Sequence, residues 1–150
     1  MRSQGGVTAL VFSTSESQVL AVGSSRGEVE IWRVSNTEHD VTVLRTHSFA
    51  LDSRSAIQHI ALSSSRSLVA VATEGKTIHT WDVSTPSAQL KTTLHTDRNI
   101  ERLSCSSDGL YLAASTTVAK EGCLVVLWDC ITGECLAVLT HLYLRLRGNG

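Results

Sequence analysis

Several features are scarce in this chain, and each absence removes a class of protein. No apolar run approaches the ~20 residues that cross a bilayer as a helix; Cys123 to Trp128 is among the longest. No membrane partner is expected. Neither sign of charge is gathered into a block: 13 Lys and Arg stand against 14 Asp and Glu, a net charge of −1. Nucleic acid is therefore not expected as a main partner. The opening residues, MRSQGG, hold no apolar signal core, so a cytoplasmic or nuclear location is expected. There is no glycine-rich phosphate cradle, since GSSRGEVE around Gly23 and Gly27 reads as a hairpin turn. His39, His59 and His79 have no nucleophile motif beside them, and the many serines sit in turn sequences. Cys105 with His95 is the one thiol-imidazole pair to consider, and both are strand or strand-end residues. No enzyme, cofactor or metal is expected.

The four cysteines, Cys105, Cys123, Cys130 and Cys135, lie in the last third of the chain. Cys130 and Cys135 flank a short turn and could face each other across it. A reducing compartment favours small apolar strand residues instead. As metal ligands, Cys123, Cys130, Cys135 and His141 lack the tight paired spacing of zinc sites.

Apolar residues make up 42% of the 150 and charged residues 18%, a globular composition. The clearest local signal is LVVLWDCITGECLAVLTH, Leu124 to His141. Val125 to Trp128 and Leu136 to Leu139 read as paired strands. Between them, Asp129 and Thr132 can bond the turn amides, and Gly133 can adopt positive φ. Poorer copies occur at Glu28 to His47 and at Thr77 to His95.

The chain thus divides into three copies of a four-strand unit. First strands align as VTALVFS (Val7 to Ser13), IQHIALS (Ile57 to Ser63) and IERLSCS (Ile100 to Ser106). Second strands follow at Val19 to Ser24, Leu68 to Thr73 and Tyr111 to Thr116. Third strands end at Trp32, Trp81 and Trp128, and fourth strands near His47, His95 and His141. Helical periodicity is missing, and turn signals recur about every ten residues, so the class is all-β. Runs such as VLAVG and LVAVA are apolar on both parities, which marks strands covered on both faces. Sheets stacked face to face around an axis satisfy that requirement.

At these residues the chain resembles WD-repeat β-propeller blades. The run WDCITGECLAVLTH, the pairs Trp81-Asp82 and Trp128-Asp129, and His95 before Ile100 carry the resemblance, which spans Val7 to His141. It implies a partial β-propeller: three four-stranded antiparallel blades in an open fan, at about 7–47, 57–95 and 100–141, with 142–150 as a tail. It also implies a buried lock in each blade, joining Trp32, Trp81 and Trp128 to a strand-two hydroxyl at Ser24, Thr73 and Ser115. A histidine before strand one would join it at His95, and at His47 if Ser48 to Ala56 is a loop insertion. The lock's aspartate in the turn between strands two and three is missing from all three units, and Arg26 stands there in the first.

Propellers close with about 4 to 8 blades, so the chain is read as an excerpt, splice product or truncated form of a longer protein. The alternative is a small protein that completes its ring with another chain or by self-association. The family's use implies a non-catalytic interaction scaffold whose partners are other proteins, met through loops and open blade edges. The loops before strand one and between strands two and three carry Arg26, Arg54, Lys76, Arg98, Lys120 and Glu121, either a docking face for an acidic segment or ordinary solubilising charge. A second functional reading is the sensor or autoinhibitory portion of a nucleotide-dependent switch protein; a third, assembly in a coat or ciliary complex, is favoured by no residue.

Overall fold

The computed structural model describes residues 5–13, 18–63, 65, 67–118 and 122–140. They form twelve strands in three four-stranded antiparallel sheets, with no helix among the described residues. The first sheet holds β1 (Val7–Phe12), β2 (Gln18–Ser24), β3 (Glu28–Asn36) and β4 (Val41–Ala50). The second holds β5 (Ile57–Ser63), β6 (Leu68–Thr73), β7 (Thr77–Asp82) and β8 (Gln89–His95). The third holds β9 (Ile100–Cys105), β10 (Tyr111–Val118), β11 (Gly122–Asp129) and β12 (Cys135–Thr140). Each is a meander in chain order, and β1, β5 and β9 lie beside one another along the axis of the stack.

Alternation decides which face each side chain joins, because successive strand residues point to opposite sides. Ala21, Val29 and Ile31 of the first sheet meet Val69, Val71 and Ile57 of the second in one core cluster. The other parity of the second sheet, Leu68, Ala70, Ala72 and Ile78, meets Leu112, Ala114 and Trp128 of the third in another. All six residues of β6 are buried because both its faces are covered.

The three sheets share their irregularities. The first and second strands slip by one residue at Thr8, Gln58 and Glu101. The third and fourth slip beside the tryptophan, so Trp32 pairs with Arg45, Trp81 with Leu90 and Trp128 with Cys135. Such bulges bend and twist a strand locally. Their repetition at matching places shows that the units are copies in backbone as well as in sequence.

The blades approach closely. A Cβ on Gly23 would stand 2.5 Å from Ile57 Cγ2, so β2 can touch β5 only without a side chain there. The hairpin chemistry of the third unit is as its residues suggest. Asp129 Oδ1 accepts from the amides of Ile131 (2.8 Å) and Thr132 (3.0 Å), Glu134 N donates to Thr132 Oγ1 (3.2 Å), and Gly133 has φ 75°. Cys105, Cys130 and Cys135 are free thiols, so no bridge joins Cys130 to Cys135.

Candidate functional site

The connections at one end of the stack are tied together by backbone bonds. Leu51 N donates to Gly27 O (2.8 Å), Glu74 N to Ala56 O (3.1 Å), and Thr96 N to Lys76 O (2.9 Å). Each loop before a first strand is thereby pinned to a turn between second and third strands. The hydroxyls at the strand ends serve these turns: Ser24 Oγ accepts from Arg26 N (3.2 Å) and Glu28 N (3.1 Å), and Thr73 Oγ1 accepts from Gly75 N (3.3 Å).

Arg26, Arg54, Lys76 and Arg98 all project from this end and are exposed. Arg26 and Arg54 sit on loops in contact, since a Cβ on Gly27 would lie 3.0 Å from Arg54 Cα. Lys76 and Arg98 are joined through Thr96, whose hydroxyl donates to both their carbonyls (3.1 and 2.9 Å). None of the four is in an ion pair among the described residues. Asp52, Glu74 and Asp97 stand on the same loops, also exposed, so the face is mixed in charge. Lys120 and Glu121 lie outside the described residues, as does His141.

Beneath the loops, each internal interface contains a cleft beside the tryptophan. The first, about 340 Å³, includes Asp52, Thr77, His79, Trp81, Thr93 and His95. The second, about 290 Å³, has Leu124, Val126, Trp128 and Val138 at the matching places. The three matching places beside the tryptophan thus carry Thr77, His79 and Thr93 in one cleft and Leu124, Val126 and Val138 in the other, whose mouth is lined by His95, Thr96, Asp97 and Arg98. His79 lies between Thr77 Oγ1 and Thr93 Oγ1, each 3.2 Å away. Burial lowers the His79 pKa, the nearby His95 lowers it further, and Asp52 opposes both.

The expected blade locks are not assembled as the resemblance implied. Trp81 pairs with Val69 across the ladder, four residues from Thr73, a distance of about 13 Å at ~3.3 Å per residue. Trp32 pairs with Leu20, four residues from Ser24. Trp32 Nε1 instead donates to Glu30 Oε1 (3.3 Å), and Trp81 Nε1 is buried with no hydrogen-bond partner among the described residues. In the third blade the buried hydroxyl matching Ser24 and Thr73 is Thr116, not Ser115, because Ile100 pairs with Thr116 as Val7 does with Ser24 and Ile57 with Thr73. The sequence signal was available: Thr116, like the other two, stands four residues past the tryptophan's ladder partner, here Leu112.

His47 is not followed by a nine-residue loop, since β4 runs on to Ala50. Its Nε2 lies 2.6 Å from Thr85 O of the second blade, and it is a contact between blades. His95 is exposed at the end of β8. Asp82 Oδ1 accepts from Ser84 N (2.8 Å), a turn cap like that at Asp129.

The Cys105 and His95 pair does not form a reactive couple. Burial pushes the Cys105 thiol up to about 12, the neighbouring Cys130 adding to the effect, and His95 lines a cleft that Cys105 does not. Cys130 is likewise raised to about 11, mainly by burial. Thiols so placed are protonated and poor nucleophiles near neutrality. Among the described residues no group of three or more His, Cys, Asp or Glu is placed to hold a metal ion.

Radially stacked four-stranded meanders with their first strands at the axis are propeller blades, and the fold is that of part of a β-propeller. Solved structures agree. The β-propeller domain of Cps50 (Swd1) from Myceliophteria thermophila matches 91% of this chain at 20% identity with a TM-score of 0.66. Raptor from Chaetomium thermophilum matches 93% at 18% identity with a TM-score of 0.68. The chain spans 41% and 12% of those two structures, less than half of either. No protein-family model and no curated protein matches it.

Proposed function

We propose that the chain is a non-catalytic protein-interaction module whose pinned loop face docks a carboxylate-bearing segment of a partner protein. The observation that carries this reading is the set of exposed cations, Arg26, Arg54, Lys76 and Arg98, unpaired among the described residues and held on loops bonded to one another. Rigid loops present charge without the ordering cost that a mobile segment incurs on binding. The nearby Asp52, Glu74 and Asp97 restrict the match to segments that place their carboxylates against the two cationic pairs. We further place the protein in a reducing compartment, cytoplasm or nucleus, where its free thiols persist.

The test uses a fluorescein-labelled oligoglutamate peptide, with binding read by anisotropy at two salt concentrations. The native chain should bind in a salt-sensitive manner, and the charge reversal R54E/R98E should weaken binding by about tenfold or more. Both side chains are exposed, so circular dichroism should be unchanged. Equal binding by native and reversed chains removes the assignment.

A further inference from the structure

The cleft between the second and third blades is walled by apolar side chains that the interface leaves uncovered. Val126 and Trp128 belong to the face of the third blade that packs on the second, and Leu124 and Val138 share that face by alternation and cross-strand pairing. Both blades of this interface are present, so the exposure of its walls does not come from where the stack ends. Val138 is nevertheless 54% exposed, and Leu124 and Val126 are only half-buried. The first interface uses the same places differently. Thr77 Oγ1 and Thr93 Oγ1 each lie 3.2 Å from a nitrogen of His79, and Thr77 Oγ1 also meets Thr73 Oγ1 (2.8 Å). Those polar side chains satisfy one another, whereas Leu124, Val126 and Val138 have only apolar surface to offer.

Two observations say what fits. The first is the charge at the mouth. Arg98 lines it and is in no ion pair among the described residues, and Lys76 stands close by, because the Thr96 hydroxyl bonds the carbonyls of both. Asp97 lines the same mouth, so a run of acids meets repulsion there, and a single acid beside an apolar residue matches better. The second is the neighbour of the tryptophan. Phe49 of the first blade rests on Trp81 with centroids 4.6 Å apart, and the matching residue of the second blade is Leu94, since Phe49 pairs with Val29 and Leu94 with Ile78. Trp128 thus has an aliphatic neighbour in its core cluster where Trp81 has an aromatic ring. The cleft, about 290 Å³, is at the small end of ligand pockets and suits one side chain.

We propose that this cleft is the anchor pocket of the docking surface: a phenylalanine of the partner's segment enters it, and the carboxylate next to that phenylalanine pairs with Arg98. The inference rests on the loop-face reading and adds a sequence requirement to it, an aromatic residue beside an acid. A partner's segment is the occupant because the cleft opens among the loop residues that carry the cations, so one extended peptide reaches both. The ring is buried against Val126, Val138 and Trp128, which stand on β11 and β12 and not on loops, so the pocket is formed before the ligand arrives. One apolar anchor in a preformed pocket, ringed by polar residues, is the usual way a small contact gains most of its affinity.

The test uses the full 150-residue chain and two fluorescein-labelled oligoglutamate peptides, one with its central residue replaced by phenylalanine and the other by alanine, so that their charges are equal. The phenylalanine peptide should bind the native chain about tenfold more tightly, the effect of burying one large apolar side chain. Val138→Asn, which makes the wall polar, and Val138→Phe, which places a ring of the chain's own in the cleft, should each reduce the phenylalanine peptide to the level of the alanine one. Both should leave the alanine peptide's affinity unchanged, and circular dichroism too, since Val138 is exposed. Arg98→Glu should weaken both peptides. Equal binding of the two peptides by the native chain would overturn the anchor pocket and leave the loop-face reading standing, whereas no binding of either would remove both. A phenylalanine advantage that survives both Val138 variants would place the anchor elsewhere and overturn the proposal. So would a double mass in light scattering that Val138→Asn reduces to a single one, which would make a second copy the occupant.

Discussion

The ring of Phe49 lies against that of Trp81 with centroids 4.6 Å apart and planes inclined by 39°. Phe49 belongs to the fourth strand of the first blade and Trp81 to the third strand of the second, so this pair binds two sheets that share no ladder. Tilted aromatic pairs contribute about 0.5–1.5 kcal/mol beyond their buried area. For a part-buried ring, Phe49→Ala should cost about 2–3 kcal/mol in urea unfolding, below the range for fully buried phenylalanines. Phe49→Leu should cost less than half of that. A loss under about 0.5 kcal/mol for the alanine variant would show that the pair does not hold the blades together.

Gly23 and Ile57 set how closely the first two blades approach. A Cβ on Gly23 would stand 2.5 Å from Ile57 Cγ2 and 3.0 Å from its Cβ, distances that require β2 or β5 to move. Overpacking of this kind costs about 1–3 kcal/mol, so Gly23→Ala should lower stability by that amount. Ile57→Ala alone should also destabilise, by leaving a cavity. In the Ile57→Ala background the Gly23→Ala penalty should fall but not to zero, because the alanine keeps the Cβ that stands 3.0 Å away. A double-mutant cycle with additive losses would place the strain elsewhere.

Much of the fold was legible because alternation and turn chemistry act locally. Trp81 and Trp128 stand one residue from the ends of their third strands, although β3 runs on past Trp32 to Asn36, and Asp129, Thr132 and Gly133 each do in the structure what their chemistry suggests. The partners across the ladder were less legible. Thr116 was the exception: it closes its second-strand run as Ser24 and Thr73 close theirs, and alternation from Leu112 puts it, not Ser115, in the buried place. The resemblance joined each tryptophan to a hydroxyl that the ladder sets four residues away. The extension of β4 through Ser48, Phe49 and Ala50, which the His47 match required to be loop, has no sign in the sequence, because its pairing with Glu28 to Glu30 depends on the bulge at Thr46. On the loop face, Arg26, Arg54, Lys76 and Arg98 do share one end, whereas the acids among them become neighbours only through the turns that return there.

Matching turns in the first two blades differ in one unfavourable detail. Gly27 occupies the left-handed position of the β2–β3 turn with φ 73°, but in the β6–β7 turn that position is held by Lys76, with φ 62°, and the glycine stands one place earlier at Gly75. Left-handed backbone costs a side-chain-bearing residue about 1–2 kcal/mol. Exchanging the two residues, as G75K/K76G, should raise stability by about 1 kcal/mol, seen as a higher urea midpoint with an unchanged slope. A neutral or lower midpoint would mean that the position carries no strain.

The pH dependence of stability should fall in two steps. His79, between Thr77 and Thr93, has its pKa lowered from 6.5 chiefly by burial, with His95 acting in the same direction and Asp52 against it. The unfolded chain then takes up this proton at a higher pH than the folded one. Stability should hold above pH 6.5, decline below it, and level off once the folded histidine is also protonated. The second step comes from carboxylates. The hydroxyl and amide of Ser84 hold Asp82 below its usual 3.8, and the amides of Thr132 and Ile131 do the same for Asp129. A lowered carboxylate pKa stabilises the fold above 3.8, and that contribution is lost as pH falls through the folded value. Urea unfolding over a pH series should resolve both declines. His79→Gln should flatten the first and leave the second, and Asp129→Asn should reduce the second and leave the first. A first decline that survives in His79→Gln would assign it to another group.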